Sequence, residues 1–458
     1  MNSKTCSLPL LFLPLLLSLG CKTMDFARVR RAESEGLLEE MSSRTAESLP
    51  RGEPVSLEQC IEIALFNNWN VKTSEIRSRL AELDRKAAFS AFLPVVDAEL
   101  TSYTLSDPPT VDFLGMSIQM GDKDITEMAV HAQMPVFAPQ AWFAYAARKK
   151  AEDIGAFVLR RTRQLICLRV IALYHSCLTL EKMRGVFSQS LEQAETLLQE
   201  AEALAGKGLA TPAEVEAAKT LVVSRQLDLS GNERALSSAK GELLLTMGLS
   251  PQAEITLQDP PPFETPQGEV EDWILSALLN RPELAAADRN VEIQKDQIKI
   301  AIADFVPGLG VGGAWTNSSD SFVKYSTVWT AGIKGVLTLF DGFANVAAYK
   351  AAKERHQEAF LRREEQCVTI MLEVLRAKWN LDSATEALAL ARQYAHSESL
   401  RFREIQAQYR EGLVQTSSFL DAMSRKDRAF IQVTVAEFQS RVAAATLWDV
   451  MGKARKEQ

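Results

Sequence analysis

The sequence predicts an α+β membrane protein made of two tandem repeats, each with a helical segment, a β-hairpin, a long helix and a return helix. Three observations predict this class. Short motifs recur in both halves, apolar and polar residues alternate in four segments, and the run from Phe343 to Glu411 contains neither glycine nor proline. A helix over that run would be on the order of 100 Å long. The 458 residues are therefore not expected to form two or three compact domains.

Residues 1–20 have the pattern of a signal peptide, and residues 21–56 are interpreted as an N-terminal anchor and linker. Lys4 precedes an apolar run from Leu8 to Leu19 that is too short to cross a bilayer as a helix. Gly20 stands directly before Cys21. This arrangement resembles a bacterial lipoprotein signal, in which the cysteine after the cleavage site carries the lipid. We therefore expect a palmitate-type lipid anchor at Cys21, the alternative being cleavage without a lipid.

Four pairs of motifs align residues 57–268, the predicted first repeat, with residues 269–458, the predicted second repeat. The pairs are Ala64-Leu65-Phe66-Asn67 with Ala277-Leu278-Leu279-Asn280, Phe92-Leu93-Pro94 with Phe305-Val306-Pro307, Gly208-Leu209 with Gly412-Leu413, and Met247-Gly248 with Met451-Gly452. Motifs that recur at a nearly fixed offset indicate an internal duplication. The offset falls after the prolines, so the first hairpin is expected to have the longer loop.

Each repeat begins with a helical segment, about 57–91 or 270–304, that ends before a proline, Pro94 or Pro307. Alternation after each proline predicts hairpins at about 95–137 and 308–339, with loops at 107–123 and 317–320. One face of these strands would be apolar and the other polar. The apolar set is Val96, Leu100, Met128, Val130, Leu309, Trp315, Trp329 and Ile333, and the polar set is Asp97, Glu99, Glu127, His131, Gln133 and Lys334.

A long helix follows each hairpin, and a return helix follows each long helix. The predicted long helices are about 140–205 and 343–411, and the predicted return helices are about 212–248 and 416–452. Apolar residues in the second long helix recur at alternating spacings of three and four, which is typical of a coiled-coil seam. At the turns between them a glycine ends one helix, and Thr211 or Thr416 can begin the next.

Four strands cannot close a barrel, and their open edges leave backbone groups unpaired. Closure must therefore come from other copies of the chain. Two copies would give eight strands with a filled interior, whereas three would give twelve strands and an aqueous lumen. We expect a homotrimer with a 12-stranded β-barrel that the long helices continue as a tube.

The two repeats resemble the TolC-like outer membrane efflux protein family over about Leu57 to Gly452. The resemblance rests on Phe-x-Pro before the first strand of each repeat, the turn Phe340-Asp341-Gly342, the Gly-Leu turns and the terminal Met-Gly pairs. It implies a homotrimeric channel in the bacterial outer membrane, in contact with its lipid, with a large periplasmic α-helical barrel. It also implies a periplasmic adaptor (membrane fusion) protein and an inner-membrane transporter as partners, for the passage of drugs or other small solutes.

The resemblance also gives roles to individual residues. It implies adaptor-docking tips at Gly208, Leu209, Gly412 and Leu413, aperture acids at Glu214 and Asp421, and helix–strand junctions at Pro94, Pro307 and Gly342. In the first repeat Ala138 and Pro139 stand where the second repeat has Asp341 and Gly342. The start of the first long helix is therefore expected to differ from that of the second.

No residue pattern supports catalysis, a metal site or a cofactor. Gly308 to Gly313 fits G-x-G-x-x-G, but a predicted helix precedes it where a nucleotide-binding loop requires a strand. The net charge of −8 disfavours a nucleic-acid partner. Two alternatives stay open: the duct of a type I protein secretion system, with the same fold, and a periplasmic adaptor or coiled-coil scaffold, with a different one.

Overall fold

Long helices and one four-stranded sheet make up most of the computed structural model, which describes residues 26–50, 52–261 and 265–453. The predicted signal peptide and Cys21 lie outside the described residues. A helix occupies much of the segment expected to be a linker: α1 covers Phe26–Ser48. Near its C-terminal end the Thr45 hydroxyl accepts a hydrogen bond from the Ser250 backbone N–H at 3.0 Å. The segment is therefore ordered against the first repeat.

The elements of the two repeats follow one another in the same order. The first repeat contains α2 (Leu57–Asn67), α3 (Trp69–Phe89), a short 3₁₀ turn (Ser90–Phe92), β1 (Val95–Thr104), β2 (Thr110–Phe113), β3 (Met116–Gln119), β4 (Asp124–Phe137), α4 (Pro139–Ala205) and α5 (Pro212–Thr246). The second contains α6 (Val270–Asn280), α7 (Pro282–Ala303), β5 (Gly308–Ser318), β6 (Thr327–Val336), α8 (Ala344–Arg410) and α9 (Thr416–Val450).

The prediction of one continuous helical segment before each hairpin was wrong at one residue in each repeat. Asn68 is extended (φ −60°, ψ 132°), so it ends α2, and its side chain caps α3 by accepting from the N–H groups of Asn70 and Val71. In the second repeat Arg281 is extended in the same way, and Pro282 begins α7. Each break turns the chain from a short helix into a longer helix that leads to the sheet.

The sheet is antiparallel and has the strand order β1-β4-β5-β6. The two hairpins are joined to each other through β4 and β5, with an irregularity between Pro135 and Phe137. The loop predicted at 107–123 contains a further small hairpin, β2–β3, that forms its own two-stranded sheet. The strands β1 and β6 lie at opposite edges of the larger sheet.

Two hydrophobic cores lie where the short helices meet the long helix pairs. In the first repeat Tyr174 of α4 is fully buried among Leu57, Leu243 and Met247, and its hydroxyl lies 2.9 Å from the Val55 carbonyl oxygen. The core of the second repeat is smaller and centres on Ile370, Val374, Leu447 and Met451. These cores hold α2 against α4 and α6 against α8.

Candidate functional site

The strands of the larger sheet have one apolar and one polar face, as the alternation predicts. The register pairs Leu100 with Met128 and Val130 with Trp315, so these residues share a face. On the opposite face Asp97 is paired with His131. Large apolar side chains on the first face are exposed, among them Leu100 (72%), Trp329 (78%) and Ile333 (80%). Such a large exposed apolar surface marks an interaction site or a membrane-facing surface.

Both edges of this sheet are open in the single chain. Within the described residues, β1 and β6 each pair with a strand on one side only. An edge strand presents a row of free N–H and C=O groups, which is a template for another strand. The sheet therefore offers two edges to which further strands can add.

The helix–strand junctions at Pro94 and Pro307 have similar geometry. Leu93, before Pro94, is extended (φ −97°, ψ 155°) and ends the 3₁₀ turn with a hydrogen bond to the Ser90 carbonyl at 3.0 Å. Before Pro307 the Val306 N–H donates to the Ala303 carbonyl at 3.1 Å. Each proline thus stands between the last helical turn and the first strand. The helix has already ended there, so it does not need the N–H group that proline lacks.

The long helices begin differently in the two repeats, as expected from their sequences. Gly342 (φ +69°) and Phe343 (φ +68°) are both left-handed, and the Asp341 carboxylate accepts from the Asn345 N–H at 2.7 Å to cap α8. The start of α4 has no side-chain cap at Ala138 and has Pro139 in the first turn. A left-handed conformation is costly for a non-glycine residue such as Phe343, so this helix start is strained in a way that the start of α4 is not.

The turns at the far ends of the long helices are alike. Gly208 and Gly412 have φ of +72° and +74°. The next residue in each turn donates to a carbonyl five residues earlier, Leu209 to Leu204 and Leu413 to Gln408, both at 2.9 Å. This is the pattern of a Schellman C-cap. It leaves the side chains of Leu209 (73%) and Leu413 (69%) exposed at the tips.

The two acids near the tips occupy different environments. Glu214 forms a capping box with Thr211: its Oε2 accepts from the Thr211 N–H at 2.7 Å, and its own N–H donates to the Thr211 hydroxyl at 3.3 Å. The Thr211 N–H holds the pKa of Glu214 below its usual value. Asp421 pairs with Arg425 one turn along the exposed surface of α9, at 2.9 Å. The Glu214 carboxylate thus has a structural role, because it helps to cap the start of α5.

Removing the cap at Thr211 is expected to loosen the start of α5. Thr211→Ala loses the hydrogen bond to the Glu214 N–H, at a cost of about 1 kcal/mol, so hydrogen exchange of the first-turn amides should become roughly fivefold faster. The matched control is Gln415→Ala, because Gln415 precedes α9 without a side-chain cap. Equal acceleration in both variants would contradict the assignment of Thr211 as the cap.

A charged network that the sequence did not reveal joins the two repeats. Arg161 of α4 contacts Glu283 of α7 at 2.5 Å and Asp449 of α9 at 2.9 Å. Arg281 contacts Glu283 at 2.9 Å and also Glu373 of α8. The Arg281 side chain is 4% exposed and that of Asp449 is 10% exposed. Burial raises the pKa of the Asp449 carboxyl in spite of the neighbouring Arg161.

Two further hydrogen bonds connect the repeats closer to the tips. The Ser190 hydroxyl donates to the buried Asp427 carboxylate at 2.7 Å, and Arg225 of α5 donates to the Ser424 hydroxyl of α9 at 2.7 Å. These contacts hold the helix pair α4–α5 beside the pair α8–α9. The two pairs therefore form one side-by-side layer of four helices in each chain.

The part of the chain that the structure describes lacks two kinds of feature. No helix in it combines the length and the hydropathy needed to cross a membrane. Nor do its histidine, cysteine, aspartate and glutamate side chains form a group of three or more that could hold a metal ion.

Known proteins show similarity over most of the chain. A family model described as outer membrane efflux protein matches residues 60–249 and 273–453. Outer membrane protein OprJ of Pseudomonas aeruginosa is 24% identical over 250 residues, which is 54% of this chain and 52% of OprJ. The probable outer membrane lipoprotein SilC of Salmonella typhimurium is 23% identical over 216 residues, which is 45% of this chain and 46% of SilC. The chain thus spans about half the length of the curated relatives it matches.

The fold is also similar to that of a solved channel. The crystal structure of the Campylobacter jejuni CmeC outer membrane channel superposes with a TM-score of 0.76 at 15% identity, covering 86% of this chain and 85% of CmeC. The match to the family model includes both repeats and their tips. The resemblance inferred from the repeated motifs is therefore confirmed, and this chain belongs to the outer membrane efflux protein family.

Proposed function

We propose that three copies of this chain form the outer-membrane exit duct of a tripartite efflux system. The duct passes drugs or other small solutes from an inner-membrane transporter and a periplasmic adaptor to the exterior. Family membership makes the chain an outer membrane channel protein, not an enzyme. The observation that supports a trimeric duct most directly is the four-stranded sheet. This sheet has two open edges, an apolar face and a polar face.

Closure of the sheet sets the number of copies. Unpaired backbone groups in a bilayer cost several kcal/mol each, so β1 of one copy pairs with β6 of the next until the ring closes. A ring of two copies has eight strands and an interior filled by side chains, whereas three copies give twelve strands and a lumen. In that ring the face with Leu100, Trp329 and Ile333 contacts lipid, and the face with Asp97 and His131 lines the water-filled channel.

The helices continue the duct on the periplasmic side. The helices α4 and α8 have 67 residues each, which corresponds to about 100 Å. Three copies of the four-helix layer enclose a tube whose far end carries the exposed tips at Leu209 and Leu413. These tips dock the adaptor, because exposed apolar side chains on capped turns mark an interaction surface. Residues 57–268 and 269–458 act as two equivalent modules of this wall.

The N-terminus adds a second attachment to the membrane. Lipid on Cys21 anchors the chain in the outer membrane, and α1 begins five residues later at Phe26. Each buried CH₂ of this lipid adds about 0.8 kcal/mol of membrane binding beside the contact that the barrel makes. Asp421, on the exposed surface of α9, contributes one carboxylate from each copy to the periplasmic aperture. A ring of carboxylates favours cations over anions.

The oligomeric state and the membrane residence of the purified chain test this proposal. Washing membranes with sodium carbonate at high pH is expected to leave the chain in the pellet, and native mass spectrometry in detergent is expected to give a trimer. The control is a peripheral protein that binds the membrane by charge alone, which carbonate releases into the supernatant. Release of this chain, or a detergent-solubilised monomer, would refute the duct.

A further inference from the structure

The internal duplication makes one joint between the two repeats and leaves the counterpart of that joint open. Near the sheet α7 packs against both α4 and α8, and toward the tips α9 packs against both of these long helices. The equivalent helices of the first repeat, α3 and α5, pack against α4. In the described part of the chain neither of them is in extensive contact with α8. One chain therefore ends on one side in α8 and on the other side in α3 and α5.

Residues of the two repeats correspond at fixed offsets, which relate the internal joint to these ends. Pro94 and Pro307 align α3 with α7. Ile166 and Ile370 are both buried and, with the glycines of the tips, align α4 and α5 with α8 and α9. Each residue at the internal joint thus has a counterpart at an end of the chain.

The internal joint is held by buried polar and charged side chains. Lys150 of α4 and Lys299 both pair with Asp296 of α7, whose side chain is 1% exposed. Closer to the tips, the Ser190 hydroxyl of α4 donates to the Asp427 carboxylate of α9 at 2.7 Å. A buried carboxylate is costly unless such partners are present. The joint inside the chain therefore depends on matched polar groups.

The counterpart surface on α3 is apolar and exposed. Leu83 stands on α3 where α7 has Asp296, and it is 55% exposed. It continues a stripe with Ile76 (50%) and Leu80 (53%), which recur at helical spacing on one face. Contiguous exposed apolar side chains mark an interaction surface. The outer side of α3 is thus suited to apolar packing.

The same exchange of polar for apolar residues occurs closer to the tips. Val223 stands on α5 where α9 has Asp427, and Tyr394 stands on α8 where α4 has Ser190. Val223 is 69% exposed and Tyr394 is 40% exposed. A buried hydrogen-bonded pair inside the chain therefore corresponds to two exposed, largely apolar side chains at its opposite ends.

The connection of strands to helices identifies the partner of these surfaces as a second copy of the chain. Within one chain β4 leads into α4 and α7 leads into β5, and pairing of β4 with β5 accompanies packing of α4 on α7. In the same way β6 leads into α8, and α3 leads into β1. Pairing of β6 with β1 of the next copy therefore brings α8 beside α3 of that copy.

We propose that α8 of one copy packs against α3 and α5 of the next copy, in the arrangement that α4 makes with α7 and α9 inside one chain. This seam is largely apolar where the internal joint is charged, and it rests on the proposed ring. The difference directs each helix to its own partner. If α4 closed on α3 of another copy in place of α7, Lys150 would be buried against Leu83 without its carboxylate.

Charge placement at the seam tests this arrangement. Glu354 of α8 is the counterpart of Lys150, so Leu83→Asp sets two carboxylates of neighbouring copies against each other. Native mass spectrometry in detergent is expected to show a trimer-to-monomer ratio roughly tenfold lower. Adding Glu354→Lys recreates the pair of Lys150 with Asp296 between copies and should restore the ratio. The matched control is Val158→Asp on α4, an exposed position of a helix that the seam does not include.

The outcomes separate failure of the seam from failure of the duct. Circular dichroism shows whether each variant retains its helices. A trimer that tolerates Leu83→Asp as well as Val158→Asp, or a loss that Glu354→Lys does not reverse, would overturn the seam and leave the duct intact. A monomeric wild-type chain would refute the duct itself and the seam with it.

Cross-linking between differently tagged copies tests the seam without relying on a destabilising charge. Val223→Cys in one copy and Tyr394→Cys in the other are co-expressed and treated with a short bifunctional maleimide. We expect heterodimers that carry both tags, above the background of copies without introduced cysteines. The matched control is Ser224→Cys, which lies about 100° around α5 and is expected to cross-link roughly tenfold less. Equal yields from the two positions, or no heterodimer above background, would overturn the seam.

Discussion

Gly248→Ala is expected to lower the free energy of unfolding by about 2–5 kcal/mol. Gly248 has φ of +69°, which costs alanine about 1–2 kcal/mol. A Cβ at this position would also lie 2.6 Å from the Asn67 carbonyl oxygen, and such overpacking adds about 1–3 kcal/mol. The measurement is urea unfolding of the detergent-solubilised protein, followed by the circular dichroism of the helices.

The matched control for this variant is Gly208→Ala. Gly208 has nearly the same φ, +72°, but a Cβ there would meet nothing within 4 Å. Its replacement should therefore cost only the backbone term, about 1–2 kcal/mol. Equal losses of stability in the two variants would show that the close approach of Asn67 does not contribute to the cost of Gly248→Ala.

The second repeat contains the same close contact. A Cβ at Gly452 (φ +75°) would lie 2.9 Å from the Asn280 carbonyl carbon. In both repeats a glycine turn at the end of the return helix packs against the break between the two short helices. The recurrence of Met-Gly and of Ala-Leu-x-Asn in the two halves thus has one physical cause, because the two motifs contact each other.

Arg161→Met is expected to lower the free energy of unfolding by about 3 kcal/mol at neutral pH, because it leaves the buried Asp449 carboxylate without its paired charge. The nearby Arg163→Met is the matched control. Arg163 pairs with Glu75 at 2.8 Å on the surface, where its side chain is 49% exposed. An exposed pair contributes about 0–1 kcal/mol, so this control should change stability little.

The loss caused by Arg161→Met is expected to depend on pH with a definite sign. Burial already places the folded-state pKa of Asp449 above that of the unfolded chain, and removal of Arg161 raises it further. The stability that protonation of Asp449 contributes is complete below the ordinary aspartate pKa and is lost as the pH rises through the folded-state value. The variant should therefore approach the wild type in acid and diverge toward neutral pH.

Adding Asp449→Asn to Arg161→Met distinguishes the buried charge from lost packing. An asparagine carries no charge at any pH, so the double variant should recover stability at neutral pH and lose most of the pH dependence. Unfolding titrations at several pH values measure both effects. A loss of stability that stays constant with pH, or a double variant no more stable than Arg161→Met, would contradict the role of the charge.

Elements with a strong local pattern could be predicted from the sequence. The second long helix was expected at about 343–411 and runs from Ala344 to Arg410. It could be predicted because the run contains no glycine or proline, the residues that most disfavour a helix. The faces of the strands follow from the period of two, and the register places Val130 beside Trp315 as that period requires. The tips could be located because glycine followed by leucine fits a helix C-cap.

Features set by distant contacts could not be predicted. Asn68 is an ordinary residue within a helical pattern, and the chain breaks at it where it lies against the turn after α5. The break at Arg281 differs, because Pro282 follows it and a proline disfavours the helical conformation at the residue before it. The partners Arg161 and Asp449 are 288 residues apart, and no spacing relates them. The hairpin β2–β3 was missed because its strands have four residues each and follow Asp107-Pro108-Pro109, which indicates a loop.

The joining of the two hairpins through β4 and β5 has a consequence for assembly. In the proposed ring of three copies, each chain already contains three of its four strand ladders, β1 with β4, β4 with β5, and β5 with β6. Association then has to form only one new ladder per copy. If the ring forms as proposed, we expect folding of the sheet to be first-order within each chain and only the final pairing of β1 with β6 to depend on protein concentration. Substitutions in the outer edges of β1 and β6 should slow assembly and leave folding of the single chain intact.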